Sequence, residues 1–341
     1  MDKIKVGVLG ALGAVGQRFI SLLENHPYFE LESLIERDDL ANREYHKTVN
    51  WILSGNPPDF TKEKRLESLN INSLKERDVK LIFSAIPSDP AKILEKKISN
   101  SGLCVFSNAG AYRMEPNVPL VIPEVNHGAL SLIKKQENGF IVTNPNCTTT
   151  AVALALAPLR AFGIEEVLVS SYQALSGAGY PGVPSLDILG NVVPYIGGEE
   201  EKVEEESKKI LSLPELKICA SCVRVPVKDG HLESVVVKLR EGSLDEVIES
   251  MRNYKSLPQE EELPTAPIHP LIIREEKNRP QPQYDVMAGE PARARGMAVT
   301  AGRFKEKDGN IRFFVLMHNT IRGAAGGSIL NAEIAHLKGY V

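Results

Sequence analysis

Hydrophobic and polar positions follow one rhythm in the first part of the chain and another after it. Up to about residue 145, short apolar runs at 4–9, 29–35, 79–86, 103–108 and 140–143 read as strands. Between them, 15–24 and a stretch near 90–101 repeat apolar residues at helical spacing. Strand and helix in alternation predict a parallel, doubly wound sheet. The pattern then changes. The run Ala151-Val-Ala-Leu-Ala-Leu-Ala-Pro-Leu159 is apolar on every side and predicts a buried helix. Longer strand patterns follow at 166–172, 219–227, 232–239, 297–304 and 311–318, with Asp308-Gly309 as a hairpin signal between the last two. A helix is expected at 244–254, and Glu199-Glu200-Glu201-Lys202 opens a highly charged one that runs to 210. A mixed or antiparallel sheet with a few helices, an α+β unit, fits this second part. The division expected is 1–146 and 147–322.

Composition narrows the class. A length of 341 residues suggests two domains or one large one, and 43% hydrophobic with 25% charged residues is ordinary for a soluble globular chain. The net charge of −4 and pI of about 6.1 advertise no basic patch, so neither nucleic acid nor membrane is expected as a partner. No apolar run is long enough to span a bilayer, and Met1-Asp2-Lys3-Ile4-Lys5 leads straight into a strand with no signal peptide. Four cysteines are too few for a disulfide framework at this length. A cytoplasmic location with reduced thiols is the expectation. Cys219-Ala-Ser-Cys222 has the spacing of a redox pair or half a zinc site, but no second pair completes a metal site. Its flanks, 217–225, read as a strand, which favours packing.

Gly10, Gly13 and Gly16 follow the first strand and open the first helix. Glycines there allow a tight turn and let the backbone approach a pyrophosphate resting on the helix N-terminus. The spacing is GxxGxxG, not the commoner GxGxxG, and a plain strand-to-helix turn would also satisfy it. The second strand ends in Glu36-Arg37-Asp38-Asp39, at the place where such folds read the adenosine ribose. An acid there suits a free 2′-hydroxyl and an arginine a 2′-phosphate. Both are present; Arg37 points to NADP, with NAD possible. Ser84, Asn108, Arg113 and Cys147 lie at or just beyond strand ends, where ligands gather in such sheets.

In Asn144-Pro145-Asn146-Cys147-Thr148-Thr149, Pro145 stops a strand and Cys147 begins a helix. Unpaired N–H groups and the macrodipole favour an anion at that end. That favours the thiolate, and the same N–H groups can hold an oxyanion formed when sulfur attacks a carbonyl. A buried structural cysteine is the plain alternative. Three distant features bear on the choice. Gln173-Ala-Leu-Ser176-Gly177-Ala-Gly-Tyr180 is a Gly-rich loop after a strand. Arg224 and His231 flank Val-Pro-Val-Lys-Asp229-Gly230; an unbroken strand would put them on opposite faces, and a bend at Asp229-Gly230 would let both enter one pocket. The third is the Glu199 helix. Singly, each has a bland explanation: a surface or core histidine, a structural ion pair, a solvated acidic face.

Together these blocks resemble aspartate-β-semialdehyde dehydrogenase of the archaeal and fungal type, over almost the whole chain. The shared blocks include the glycine turn, Ser107-Asn-Ala-Gly-Ala-Tyr-Arg-Met114, the Cys147 segment, the Gln173 loop, Glu199–Lys202, Arg224–His231 and His318-Asn319-Thr-Ile-Arg-Gly-Ala-Ala-Gly-Gly327. The resemblance implies a Rossmann-like N-terminal domain and an α+β catalytic and dimerisation domain, the glyceraldehyde-3-phosphate-dehydrogenase-like arrangement. The last helix, about 323–338, would return to complete the nucleotide domain through 341. It implies reversible, NADP-dependent conversion of 4-phospho-L-aspartate to L-aspartate 4-semialdehyde and phosphate, toward lysine, methionine and threonine. By position, Cys147 would be the nucleophile that forms a thioester, His231 the general acid/base, and Gln173 would orient the intermediate. Arg224 would grip the substrate carboxylate and Glu199 would face its amino group. Arg113, Lys202 and Asn146 would hold the phosphate. Gly10, Leu12, Gly13, Ala14, Val15, Arg37, Ser84, Asn108, Ser176, Gly177 and Asn319 would hold the cofactor. No metal is implied, and a homodimer or homotetramer is.

The chain departs from the family in places. Leu12 replaces a usual Thr whose hydroxyl can bond a cofactor phosphate, which predicts weaker affinity. Asp38 replaces the Ser after the family's Arg, which bears on NADP preference. The segment 289–297 is longer than the family pattern and has no assigned role. The closest rival is a malonyl-CoA or succinyl-CoA reductase on the same scaffold. It would keep the Cys and His and have no use for the Glu199/Lys202 pair. N-acetylglutamyl-phosphate reductase shares the chemistry without a free amino group. A non-catalytic nucleotide-binding regulator would not need a nucleophile, and a thiol hydrolase would not need the glycine turn.

Overall fold

The computed structural model describes residues 3–341. The chain forms two compact units. The first takes the chain up to Val121, Gly128–Asn144 and Ala325–Val341; the second takes Ile122–His127 and Pro145–Ala324.

In the first unit six parallel strands, β1 (Ile4–Leu9), β2 (Phe29–Ile35), β3 (Leu66–Glu67), β4 (Val79–Ser84), β5 (Cys104–Ser107) and β6 (Ile141–Thr143), lie in the order β3-β2-β1-β4-β5-β6. The order reverses between β1 and β4, so the carboxyl ends of those two strands open a crevice. The two-residue β3 left no periodic signal in the sequence. Helix α1 (Ala14–Leu23) buries Phe19, Ile20 and Leu23. Helix α2 (Ser88–Asn100) buries Ala91 and Ile98, but also Glu95 and Ser99. It starts two residues before the expected Pro90, which a first-turn proline allows. Leu9, Ile35, Ile82, Val105 and Ile141, drawn from five of the strands, share one apolar cluster. The terminal helix (Gly326–Leu337) packs against α1 and β5. It is pinned by His26 Nε2 at 2.9 Å from Glu333 Oε1, both side chains fully buried.

In the second unit the sheet is mixed. Strands β7 (Ile164–Gln173), β8 (Lys217–Arg224), β9 (His231–Leu239), β10 (Leu271–Arg274), β11 (Val299–Lys307) and β12 (Asn310–Met317) lie in the order β10-β11-β12-β9-β7-β8. The β7/β8 and β10/β11 pairs are parallel and the others antiparallel. The short β10 had not been expected. At the β11–β12 turn, Asp308 and Gly309 both have positive φ, 53° and 73°, the two-residue hairpin geometry their sequence predicted. Period-two alternation decides what the sheet buries: Val167, Val169, Ser171 and Gln173 on β7, and His231, Glu233, Val235 and Val237 on β9. Helix α3 (Cys147–Leu156) packs on that sheet and is buried from Thr148 to Leu156, as an all-round apolar helix must be. Helix α4 (Glu199–Leu211) packs on α3 and β8. Helix α5 (Leu244–Arg252) begins with a capping box between Ser243 and Glu246. Arg322 forks onto Glu124, Nη1–Oε1 2.8 Å and Nη2–Oε2 2.5 Å, with both groups buried. Among the described residues no helix is long and apolar enough to cross a membrane.

Candidate active site

Cys147 is the first residue of α3, and Asn146 caps the helix by accepting the Thr149 N–H at 3.2 Å. Asn146 is itself held. Its N–H donates to Glu206 Oε2 at 2.6 Å and its Nδ2 to Glu199 Oε1 at 2.8 Å. The first turn of α3 contains no acidic residue of its own, and the Glu199 and Glu206 carboxylates meet the helix end at the Asn146 cap. Gly323 closes the other side: a Cβ there would lie 2.7 Å from Cys147 Cβ.

The Cys147 sulfur lies 3.2 Å from His231 Nε2, and the Ala174 N–H donates to His231 Nδ1 at 3.1 Å. A ring nitrogen that accepts an N–H carries no proton, so the neutral ring holds its proton on Nε2, toward the sulfur. His231 is fully buried; burial first, then the charges of Arg224 and His318, push it down to about 3. The ring is therefore neutral across the working range.

Arg224 ends β8 and His231 begins β9, so the strand does break at the Asp229-Gly230 bend, where Gly230 has φ 99°. Gln173 and Arg224 are register partners at the ends of β7 and β8, and Arg224 Nη1 donates to the Ala174 carbonyl at 2.7 Å. Buried Gln173 donates to Ser171 Oγ at 3.1 Å. The two loops are laced together. Leu175 N–H donates to Val227 O at 2.8 Å, Ser176 N–H to Lys228 O at 3.1 Å, and Gly230 N–H to Asn319 Oδ1 at 2.9 Å. Asn319 Nδ2 donates in turn to Ser176 Oγ at 2.8 Å. Gly177 lies against the pair: a Cβ there would be 2.8 Å from Arg224 Nη1 and 3.0 Å from His231 Cε1. Burial weakens the hold of Arg224 on its proton, while the Cys147 sulfur and Glu199 act in the opposite sense.

The glutamates of α4 divide: Glu201 and Glu205 are exposed, and the others turn toward the protein. Glu199 and Glu206 are buried on Asn146, Glu200 accepts the Cys222 N–H at 2.9 Å, and Glu204 the Ala220 N–H at 3.0 Å. Lys202, 43% exposed, stands 3.7 Å from Glu199 Oε2. On β8, Cys219 is exposed and Cys222 buried with its thiol pushed up to about 11, mainly by burial. Strand positions three apart face opposite ways, so these sulfurs do not converge.

Cys147, His231, Gln173, Arg224, Asn146, Glu199, Lys202, Ser176, Gly177 and Asn319 thus fall in the second unit. Gly10, Leu12, Gly13, Ala14, Val15, Arg37, Ser84, Asn108 and Arg113 fall in the first. There, Gly10 turns with φ 85°, and a Cβ on Gly16 would lie 2.0 Å from the Gly10 carbonyl. Gly13 caps α1 with no side-chain bond and no acid follows in the first turn, so the helix start carrying Ala14 and Val15 suits a phosphate. Leu12 N–H donates to Glu36 Oε1 at 2.9 Å. Arg37 is exposed, 3.5 Å from Asp39 in a pair too solvated to hold it. Asn108 N–H and Nδ2 both donate to the Ser84 carbonyl, at 3.1 and 3.2 Å.

Several participants escaped the sequence reading. The Ala174 N–H is a backbone group with no side-chain signature. Glu206 lay inside a charge run that read as solvated. Gly323 lay within the quoted 318–327 block but had no role. Glu95 and Glu233 are lone acids in apolar patterns, and only that oddity could have marked them.

Two family models match the chain: "Semialdehyde dehydrogenase, NAD binding domain" over residues 5–133 and "Semialdehyde dehydrogenase, dimerisation domain" over 156–322. An aspartate-semialdehyde dehydrogenase of Archaeoglobus fulgidus is 48% identical, covering 97% of this chain and 98% of the relative. A malonyl CoA reductase (NADP) of Metallosphaera sedula is 36% identical over 99% of this chain and 98% of its own length. The crystal structure of aspartate semialdehyde dehydrogenase with NADP from Candida albicans superposes with a TM-score of 0.89 at 34% identity, covering 99% of this chain and all of that one.

Proposed function

The chain belongs to the semialdehyde dehydrogenase family, and from that premise we propose that it interconverts L-aspartate 4-semialdehyde, phosphate and NADP⁺ with 4-phospho-L-aspartate and NADPH, as an enzyme of amino-acid biosynthesis. The observation that carries this is the Cys147–His231 contact at 3.2 Å on a helix N-terminus, with Arg224 bonded to Ala174 beside His231 and Glu199 bonded to Asn146 beside Cys147.

In the reductive direction the Cys147 thiolate adds to the acyl carbon, the carbon–oxygen bond to phosphate breaks, and a thioester remains on the sulfur. The helix N-terminus and the Nε2–H of His231 hold the anionic sulfur; Arg224 adds positive charge beside it. His231 can act as general acid only after gaining a second proton on Nδ1, which breaks its contact with Ala174. A bound acyl phosphate, with its negative charge, favours that proton. Gln173, locked by Ser171, orients the thioester. Arg224 forks onto the substrate carboxylate and Glu199 accepts the ammonium group. Lys202, Asn146 and Arg113 bind phosphate. The bound nicotinamide cofactor supplies the hydride. The residues present fit it: the uncapped α1 start suits a pyrophosphate, and Gly16 lets the helix close onto the Gly10 turn, with Gly10, Leu12, Gly13, Ala14 and Val15 around the phosphates. Arg37 holds a 2′-phosphate, so NADP is the cofactor; Ser84, Asn108, Ser176, Gly177 and Asn319 complete the set.

The protein works as a homodimer or homotetramer in a reducing, cytoplasmic compartment; all four cysteines are free thiols. The second unit's sheet leaves Leu168 and Tyr172 47% and 38% exposed, and Leu186, Leu189 and Tyr195 are more exposed still. That apolar surface lies in the segment matched by the dimerisation model and suits a second copy.

One other reading has a specific observation behind it: the 36% identity to a CoA reductase. A CoA thioester of a dicarboxylic acid offers Glu199 no cation. The test is absorbance at 340 nm with aspartate semialdehyde and NADP⁺ or NAD⁺, with and without phosphate. Phosphate-dependent reduction lost in Cys147→Ala is expected. Silence here, with NADPH oxidised by malonyl-CoA, would transfer the same cysteine chemistry to the rival substrate.

A further inference from the structure

Glu95 projects from α2 into the interior of the first unit, fully buried. Its Oε1 accepts the Ser107 hydroxyl at 2.7 Å, and Ser107 Oγ accepts the Ala109 N–H at 3.0 Å. Both roles of the hydroxyl are thereby used, which fixes the turn that leaves β5. The next residue carries the turn onward: the Asn108 carbonyl accepts from Arg113 Nη2 at 2.8 Å, and Arg113 Nε donates to the Asn144 carbonyl at 3.0 Å. Asn108 Oδ1 accepts the Ser328 hydroxyl at 3.1 Å. The guanidinium of Arg113 is thus aimed by two neutral carbonyls at the end of a chain of bonds that begins at Glu95.

We propose that Glu95 is a positioning residue for the anion subsite: through Ser107 it sets the turn that presents Arg113 to the phosphate of the substrate. This rests on the reading of the protein as a phosphate-dependent aldehyde dehydrogenase. A burial-only role explains it less well. An apolar residue at that place in α2 would avoid the penalty of a buried acid. Burial pushes the Glu95 carboxyl up, against the smaller opposing effects of Ser84, Ser107 and Arg113.

The experiment compares the parent enzyme with Glu95→Gln, Glu95→Leu, Ser107→Ala and Glu95→Leu/Ser107→Ala, reading kcat and KM for phosphate in the aldehyde-oxidising direction. The shift of the thermal midpoint with inorganic phosphate, in cofactor-free protein, gives a second readout. Glu95→Gln keeps a side-chain oxygen that accepts the Ser107 hydroxyl, so KM for phosphate is expected within about twofold of the parent. Glu95→Leu and Ser107→Ala each raise it roughly tenfold with kcat changed less than about threefold, and the double variant is no worse than the single ones. Equal losses in kcat and in all KM values, or additive effects in the double variant, would overturn the proposal in favour of simple packing. Should Glu95→Leu not fold, Ser107→Ala and Glu95→Gln still decide it, because an unchanged KM for phosphate in Ser107→Ala breaks the chain of bonds. Turnover by the parent that ignores phosphate sinks the functional reading instead, a different outcome.

Discussion

The bond from Ala174 N–H to His231 Nδ1 makes a strong demand on the chemistry of Cys147. Many cysteine enzymes hold a thiolate against an imidazolium; here the resting ring is neutral. The gap between the ordinary histidine value of 6.5 and the buried value of about 3 makes protonation less favourable by on the order of 5 kcal/mol. At pH 6.5 only about one ring in several thousand carries the second proton. The assay is the rate of alkylation of Cys147 by iodoacetamide in cofactor-free enzyme from pH 5 to 9, with Cys147→Ala subtracting the other thiols. The thiolate is the reactive form, so the logarithm of the rate should climb with unit slope and level off once, at the ionisation of the thiol itself. His231→Gln, whose amide can still donate toward the sulfur, should keep that shape and change the rate less than about tenfold. A reactive plateau reaching down to pH 5, lost in His231→Gln, would show a thiolate–imidazolium pair and refute the tautomer argument. With a bound acyl-phosphate analogue, the same ring should become protonated in its proton resonance spectrum.

Gly177→Ala places a methyl 2.8 Å from Arg224 Nη1 and 3.0 Å from His231 Cε1; steady-state kinetics should show kcat/KM down by about 10²-fold, with the thermal midpoint nearly unchanged because the φ of Gly177 is ordinary. Arg224→Lys keeps the charge and loses the fork, so KM for the aldehyde should rise 10- to 100-fold, about 1.5–3 kcal/mol. Among the described residues, fully buried Glu233 has no hydrogen-bond partner for either carboxylate oxygen, and burial together with the Glu199 charge raises its carboxyl well above the usual range. The folded chain then keeps a proton that the unfolded chain has lost, so stability falls as pH rises above about 4.5 toward the folded value. Glu233→Gln should therefore be more heat-stable than the parent at pH 8 and gain much less at pH 5; an equal gain at both would disprove the buried proton. Arg37→Ala should lower the NADP⁺ to NAD⁺ ratio of kcat/KM at least tenfold, and an unchanged ratio would leave Glu36 as the residue that reads the ribose.

Much of this protein was legible along the chain because its signals are local. Strands β1 and β2 have the bounds that their apolar runs gave, and the place of Cys147 at a strand-to-helix junction follows from Pro145 and the apolar run behind it. Glycine spacing located the turn after β1 because backbone conformation is a property of single residues. What stayed hidden depends on partners far away in sequence. The short strands β3 and β10 exist only because a neighbour pairs with them. Glu206 lay in a run that reads as a solvated face because a charge run shows its composition and not its packing; burial against the Asn146 cap, 60 residues away, made it part of the site. Arg224 and His231 could be opposed or together until the bend at Gly230 settled it. The protonation of His231 was beyond sequence altogether, since it hangs on one backbone N–H at Ala174, 57 positions away, and on the exclusion of water. Sequence alone determined which chemical groups this protein owns and which local elements carry them; tertiary structure decided their charge, because a proton's free energy depends on what surrounds it in space.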